Sequence, residues 1–282
     1  MKKKSKVTAI AAPTATGKSK LAVELAHKIN GEIVSADSRL VYKGFEIAVA
    51  KPTLEEREGI PHHLMDIVEP EFDYSVANYV DDATSAIEDI LSRGKHPIIV
   101  GGTGLYFRIL LEGYDVPRVA PNYELREELN KLSIDDLINK ISELDKKYFE
   151  NNKEPDKRKI IRAIEICEAT GKPLSELNLQ KEPPYEVEWI GINMPRDEIY
   201  TRINKRVDKM VEAGIVEETK KLLAKHGRIP NFTETIGYRE IIPYLDGNIT
   251  LDRAIELIKQ HSRNYAKRQL TWFRKNKALG IN

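Results

Sequence analysis

The order of apolar and polar positions predicts a layered α/β protein. Residues 7–11 form a short apolar run that ends in Ala12-Pro13-Thr14-Ala15-Thr16-Gly17. An amphipathic helix is predicted to follow over residues 18–29. Residues 98–100 repeat the arrangement, running into Gly101-Gly102-Thr103-Gly104 and then a helical stretch over 105–111. A third strand is predicted at 32–36, ending at Asp37-Ser38-Arg39, and a fourth at 188–193. Strands alternating with helices imply a parallel sheet with helices on its faces. Ligands in such sheets gather beyond the carboxyl ends of the strands, so the loops carrying Gly17, Asp37 and Thr103 should share one edge.

The texture changes between about residues 117 and 184. Short, charged amphipathic helices are predicted at 124–132, 134–144 and 160–169. The last is stopped by Thr170-Gly171-Lys172-Pro173, a glycine-then-proline ending. Pro183-Pro184 reads as a linker. The expected organisation is therefore a P-loop-type α/β core begun by residues 1–116 and interrupted by a mostly helical insertion at 117–184. Residues 185–282 complete the core and add basic C-terminal helices. After Pro195 the chain should be helical, broken near 227–230 and at 243–247.

Length and charge narrow the possibilities. At 282 residues the chain is long enough for about two domains. Its 45 basic and 44 acidic residues leave a formal charge of +1, which excludes a uniformly basic nucleic-acid coat but not a local basic face. A single cysteine, Cys167, excludes an intrachain disulfide framework and sits in a helical apolar pattern as a core residue. The start is basic through Lys6, and the apolar run behind it is too short to span a membrane and lacks a convincing cleavage region. A cytoplasmic protein is expected.

The chemistry concentrates in a few segments. Residues 12–19, Ala-Pro-Thr-Ala-Thr-Gly-Lys-Ser, match a phosphate-binding loop with Ala12 where the pattern asks for its first glycine. Backbone N–H groups of Ala12, Pro13, Thr14, Ala15, Thr16 and Gly17 (the proline excepted) and a helix N-terminus would converge on an anion. Lys18 would add a charge, and Ser19 could ligate Mg²⁺. This says diphosphate or triphosphate without saying ATP. Asp37 and Thr103 follow strand ends, where each could act on a substrate or could simply cap a turn. Adjacent His62 and His63 lack partners at metal-ligand spacing and read as hydrogen-bonding residues. Residues 259–277 carry seven Lys or Arg and no acid, with Tyr265, Trp272 and Phe273 interleaved. Arg263 and Lys267, one helical turn apart, mark a face for phosphate contact. A weaker mixed cluster holds Arg196, Arg202, Lys205, Arg206 and Lys209.

The succession APTATGKS, SADSRLVYKG, AKP, GIPHHLMDI, GGTGLYFRILLEG, RAIEICEATGKPLS, RVDKMVEAGIVEE, TIGYRE and YAKRQLTWFR resembles the tRNA dimethylallyltransferases, in order and over nearly the whole chain. The resemblance implies transfer of a dimethylallyl group from dimethylallyl diphosphate to N6 of the adenosine 3′ of the anticodon; a monomer is expected. It implies that the loop through Ser19 holds the diphosphate with Mg²⁺. Asp37 would be the general base, with Thr103 and Lys18 beside the reacting centre. Asp37, Ser38, Arg39 and Leu40, with Thr103, Arg126, Arg158, Lys159 and Arg162, would contact the tRNA anticodon arm, held by insertion and core. Three departures stand out: Ala12 in the loop, Leu40 where the family has glutamine, and Ala48-Val49 where it has Gly-Thr. Three rivals remain at this level: a P-loop kinase or hydrolase, a prenyltransferase of free adenine nucleotides, and a non-catalytic RNA-binding protein.

Overall fold

The computed structural model describes residues 4–153 and 156–281, so residues 1–3 of the basic start lie outside the described part. Five strands, β1 (Lys6–Ala11), β2 (Gly31–Ala36), β3 (His62–His63), β4 (His96–Gly101) and β5 (Glu186–Gly191), form one sheet in the order β3-β2-β4-β1-β5. Every neighbouring pair is parallel. Helix α1 (Lys18–Ile29) crosses from β1 to β2 and packs Ala22, Val23 and Ala26 against Ile10, Ile33 and Ile98 on one face. The opposite face, carrying Val7, Ala9, Val34 and Ile99, builds the larger core. Burial on both faces explains why β2 is enclosed along its whole length and reads as a continuous run rather than an alternation.

Beyond β2 come a short helix, α2 (Leu54–Arg57), and then α3 (Val76–Ser92), which the hydrophobic reading had not singled out. A capping box between Ser75 and Asn78 starts α3, and Tyr79, Ala83, Ile87 and Ile90 line its buried face. Helix α4 (Gly104–Leu111) follows β4 and buries Tyr106, Phe107, Ile109, Leu110 and Leu111. The last strand starts and ends two residues earlier than the pattern predicts. Its register against β1 pairs Lys6 with Glu186 and Ala11 with Gly191, so Ile192 and Asn193 lie past the end of the ladder.

The described chain divides into two compact units, one of residues up to 112 with those from 183 onward, the other within 113–182. The second unit holds α5 (Tyr123–Lys131), α6 (Ile134–Leu144), the short α7 (Tyr148–Asn151) and α8 (Lys157–Thr170). Leu129, Leu137, Ile141, Ile160, Ile164 and Cys167 give it a core of its own. Each large aliphatic side chain fully buried there contributes about 1.5–3 kcal/mol. Its ends are drawn together by a bridge between Tyr114 and Gln180 and by the Lys181 N–H on the Gly113 carbonyl at 2.7 Å. These bonds put the boundary at Gly113, ahead of the change in composition at Pro117.

The first unit finishes with α9 (Arg196–Glu212), α10 (Ile215–His226), the short α11 (Pro230–Thr233), α12 (Tyr238–Leu245) and α13 (Leu251–Phe273). Gly227 caps α10 and Pro230 opens α11, where the break near 227–230 was expected. The second predicted break shifts. Pro243 lies inside α12, and the helix runs to Leu245 before Thr250 caps α13. Proline costs α12 one backbone hydrogen bond, but buried Tyr238, Ile241 and Ile242 hold the turn in place. No described helix is long and apolar enough to cross a membrane.

Candidate active site

The phosphate loop is shaped by its own backbone. The Thr16 hydroxyl donates to the Pro13 carbonyl at 2.8 Å, and Ala15 and Gly17 take positive φ values of 65° and 90°. Ala12 is buried and keeps a negative φ, so alanine in place of the first glycine strains nothing. Gly17 caps α1 without a side-chain partner, and the first turn of α1 contains no acid. The helix N-terminus therefore presents free N–H groups and its positive dipole end to the loop.

Two adjoining cavities open at this edge of the sheet. The smaller, about 60 Å³, is lined by Lys18, Ser19, Ser35, Asp37, Leu40 and His62. The larger, about 270 Å³, has Arg39, Met210, Tyr265, Arg268 and Gln269 in its wall. Thr14, Lys18, Asp37, Val49 and Arg206 border both. Enclosure pushes the Lys18 ammonium down to about 8, against the pull of Asp37 and with the repulsion of Arg206. Burial likewise lowers Arg206 below the usual arginine range. Arg206 Nη1 donates to the Thr14 hydroxyl at 2.7 Å and Nη2 to the Val49 carbonyl at 3.2 Å, while its buried Nε has no partner. The buried Ser35 hydroxyl also has none. A cavity with surplus cations and unpaired buried polar atoms is built for an anion with several oxygens.

Asp37 borders both cavities with these cations, while Thr103 lines neither and lies behind the Asp37 turn. The Arg39 N–H donates to Asp37 Oδ1 at 2.9 Å, a turn contact that fixes the carboxylate at the end of β2. Asp37 thus makes the turn contact and faces the cavities as well. The Ser38 N–H donates to the Thr103 hydroxyl at 3.2 Å, and the Thr103 N–H to the Ala36 carbonyl at 3.1 Å. Tyr265 meets Thr103 from α13, and burial followed by the nearby Asp37 charge pushes its phenol up to about 12. Arg39 reaches the Asn231 carbonyl at 3.3 Å.

Of the other expected contact residues, two lie on α13 and four belong to the 113–182 unit. Arg263 donates to Asn204 Oδ1 at 2.7 Å and is half-buried, while Lys267 is exposed; neither lines the cavities. In the 113–182 unit, Arg126 forms a fork on the buried Glu165 with both contacts at 2.9 Å. Arg162 joins the same carboxylate and also bonds the Val119 carbonyl at 2.8 Å. Arg158 and Lys159 are exposed on α8.

His63 binds Glu32 at 2.8 Å and His62 the Ile60 carbonyl at the same distance. Among the described residues no group of three or more His, Cys, Asp or Glu could hold a metal. Ala48 packs against Gly237, where a Cβ would stand 2.7 Å from its own, and its N–H and that of Ile47 are held by Glu218.

Arg206, Tyr265 and Gln269 are site residues that the sequence reading did not pick out. Arg206 stands in sequence in a mixed cluster that points only weakly to phosphate contact, and Gln269 stands inside a basic run. The signal available was spacing: Tyr265 and Gln269 are four apart and so share a helix face.

A parallel sheet with a cation-lined phosphate loop and a carboxylate across a two-part cavity defines a P-loop-type group-transfer fold. The IPP transferase family model matches residues 40–276. The chain is 44% identical to the tRNA dimethylallyltransferase of Thermomicrobium roseum, covering 99% of this chain and 86% of that one. It is 45% identical to its counterpart in Halalkalibacterium halodurans, covering 98% and 90%. Among solved structures it is similar to the tRNA isopentenylpyrophosphate transferase of Bacillus halodurans, with TM-score 0.73 and 44% identity over 99% of this chain and 89% of that chain. A eukaryotic dimethylallyltransferase acting on tRNA gives TM-score 0.80 and 33% identity over 95% and 70%. The chain belongs to the IPP transferase family.

Proposed function

We propose that the protein transfers a dimethylallyl group from dimethylallyl diphosphate to N6 of the adenosine 3′ of the anticodon in tRNA. It would act as a monomer in the cytoplasm. The observation that carries this reading is the juxtaposition of Lys18, Arg206 and the phosphate loop with Asp37 across one cavity. The relatives named for this activity support it.

The reaction forms a bond from N6 to the terminal carbon of the dimethylallyl group and breaks the bond from that carbon to the diphosphate oxygen. Adenine N6 is a weak nucleophile because its lone pair is drawn into the ring. Stabilising the departing negative charge is therefore the main task. Lys18, Arg206 and the N–H groups at the start of α1 hold that charge in a site of low polarity, where each contact is worth more than in water. Asp37 takes the proton from N6 as the new bond forms, a contribution on the order of 10²–10⁴-fold. The Thr103 hydroxyl, held by the Ser38 N–H, sits beside that centre. The base must leave its stack to enter the cavity, which favours a loop nucleotide over one in a helix.

Mg²⁺ fits the residues present. Ser19 offers a hydroxyl and Ser35 an unpartnered buried hydroxyl, and Mg²⁺ takes few protein ligands when phosphate oxygens and waters supply the rest. Bound there, the ion would neutralise charge on the leaving diphosphate. Contacts to tRNA are assigned to the strip from Asp37 to Leu40, to Arg126, Arg158, Lys159 and Arg162, and to Arg263 and Lys267.

The test is transfer of labelled dimethylallyl, with Mg²⁺, to unmodified tRNA and in parallel to AMP. Label on tRNA alone is expected. Label on AMP would make the protein a nucleotide prenyltransferase. No label on either, with ATP consumed in a control, would make it a kinase-like hydrolase.

A further inference from the structure

The ladder between β1 and β4 ends at the pair Ala11 and Gly101, and the next main-chain contact, the Ala12 N–H on the Gly101 carbonyl, is stretched to 3.5 Å. Beyond it the two chains part, one becoming the phosphate loop and the other the Gly102-Thr103 turn. Between them stands the side chain of Gln269 from α13, only 4% exposed. Its Oε1 accepts the Thr14 N–H at 2.9 Å, and its Nε2 donates to the Gly102 carbonyl at 2.9 Å. A primary amide carries the same donor and acceptor as a peptide group, so Gln269 extends the sheet by one rung made from a side chain.

The fit is close. A Cβ at Gly102 would overlap the Gln269 amide nitrogen. One turn earlier on the same helix Tyr265 meets Thr103, and three residues later Trp272 covers Gly104, where a Cβ would stand 2.9 Å from the indole. Helix α13 thereby grips the whole turn around Thr103, and through Gln269 it also holds the phosphate loop.

We propose that Gln269 is a positioning residue that sets the distance between the phosphate loop, which holds the leaving group, and the Gly102-Thr103 turn beside the accepting carboxylate. This rests on the transfer reaction proposed above. Bond formation requires reacting atoms about 3–3.5 Å apart, and a displacement near 1 Å lowers rate by about 10²-fold. Binding of either substrate depends on one loop at a time and should survive. The rate of transfer depends on both loops and should not.

The variant Gln269→Glu separates the two bonds. Its carboxylate can still accept the Thr14 N–H but repels the Gly102 carbonyl; once protonated, it regains a donor. At pH 8 we expect transfer under saturating substrates to fall at least about 30-fold, with KM for dimethylallyl diphosphate and Kd for tRNA within about threefold of wild type. Burial raises the pKa of the introduced carboxyl, so the deficit relative to wild type should shrink at least about tenfold by pH 6. Gly102→Ala, which displaces the amide without altering it, should show the same loss in kcat with no recovery at low pH. It also decides the matter if Gln269→Glu does not fold. A wild-type kcat in either folded variant, or a deficit in Gln269→Glu that does not change with pH, overturns the proposal. Absence of transfer by the wild-type protein in the same assay would instead remove the reaction itself.

Discussion

Strand β2 carries two opposite electrostatic arrangements, one at each end. Near its start Glu32 is 1% exposed and fully matched: Arg93 forks onto it at 2.5 and 2.7 Å, Lys95 reaches it at 2.6 Å and His63 at 2.8 Å. The Arg93 bond, outweighing desolvation and helped by Lys95 and His63, holds its carboxyl well below the usual range. Towards its other end the balance is left open: Lys18 and Arg206 face a cavity with Asp37, five residues after Glu32, as the opposing charge, and Ser35 has an unpaired hydroxyl. Both ends bury charge, yet only one pairs it within the protein. The matched end stabilises the fold; the unmatched end is held in place by the rest of the molecule and completed by a ligand.

Breaking the unmatched end should cost activity and spare stability. Lys18→Met is expected to lower transfer by about 10³-fold, the largest effect, while raising the melting temperature by a few degrees because a buried charge without full compensation is removed. Paired kinetic and melting measurements check both signs. Breaking the matched end should do the reverse. Glu32→Gln should lower stability at pH 7 by about 3 kcal/mol, with little change in kcat of the folded protein.

The pH dependence sharpens that contrast. Glu32 has a folded-state pKa below its unfolded value, so its contribution is present above the usual carboxylate range and is lost as pH falls through and below it. Urea titrations should show the gap between wild type and Glu32→Gln closing on acidification, and a gap that widens would remove Glu32 as the cause. Next in size, Asp37→Ala should lower transfer by at least ~100-fold with tRNA binding nearly intact. Smallest, Arg263→Ala with Lys267→Ala should weaken tRNA binding and reduce its salt slope by roughly 1–2. An unchanged slope would place the tRNA backbone elsewhere.

Much of the loop-bearing edge was legible because its signals are local. The strand, the loop of residues 12–19 and α1 follow one another without interruption, and each is specified by its own residues. The same holds for Gly171 and Gly227, which end helices where they were expected to. What escaped is non-local. Arg206 meets Thr14 across 192 positions and Gln269 meets it across 255, and no spacing rule connects them. Strand β3, only two residues long, is defined by pairing with β2 and not by any pattern of its own. Helix α3 is the exception: Tyr79, Ala83, Ile87 and Ile90 make a regular apolar face that is as legible from spacing as that of α1. Pro243 misled because tertiary burial of its neighbours outweighs its effect on the helix.

The rung supplied by Gln269 also orders events during synthesis. The phosphate loop leaves the ribosome early, but the side chain that fixes it to its neighbour is made 255 residues later, roughly 10–50 s afterwards at ordinary elongation rates. Until α13 is made, the two loops are tied through the β1–β4 ladder behind them but lack the rung that bridges them beyond its end. A nascent chain can therefore display a phosphate loop long before it can use one, and it gains that ability only when α13 closes over the sheet.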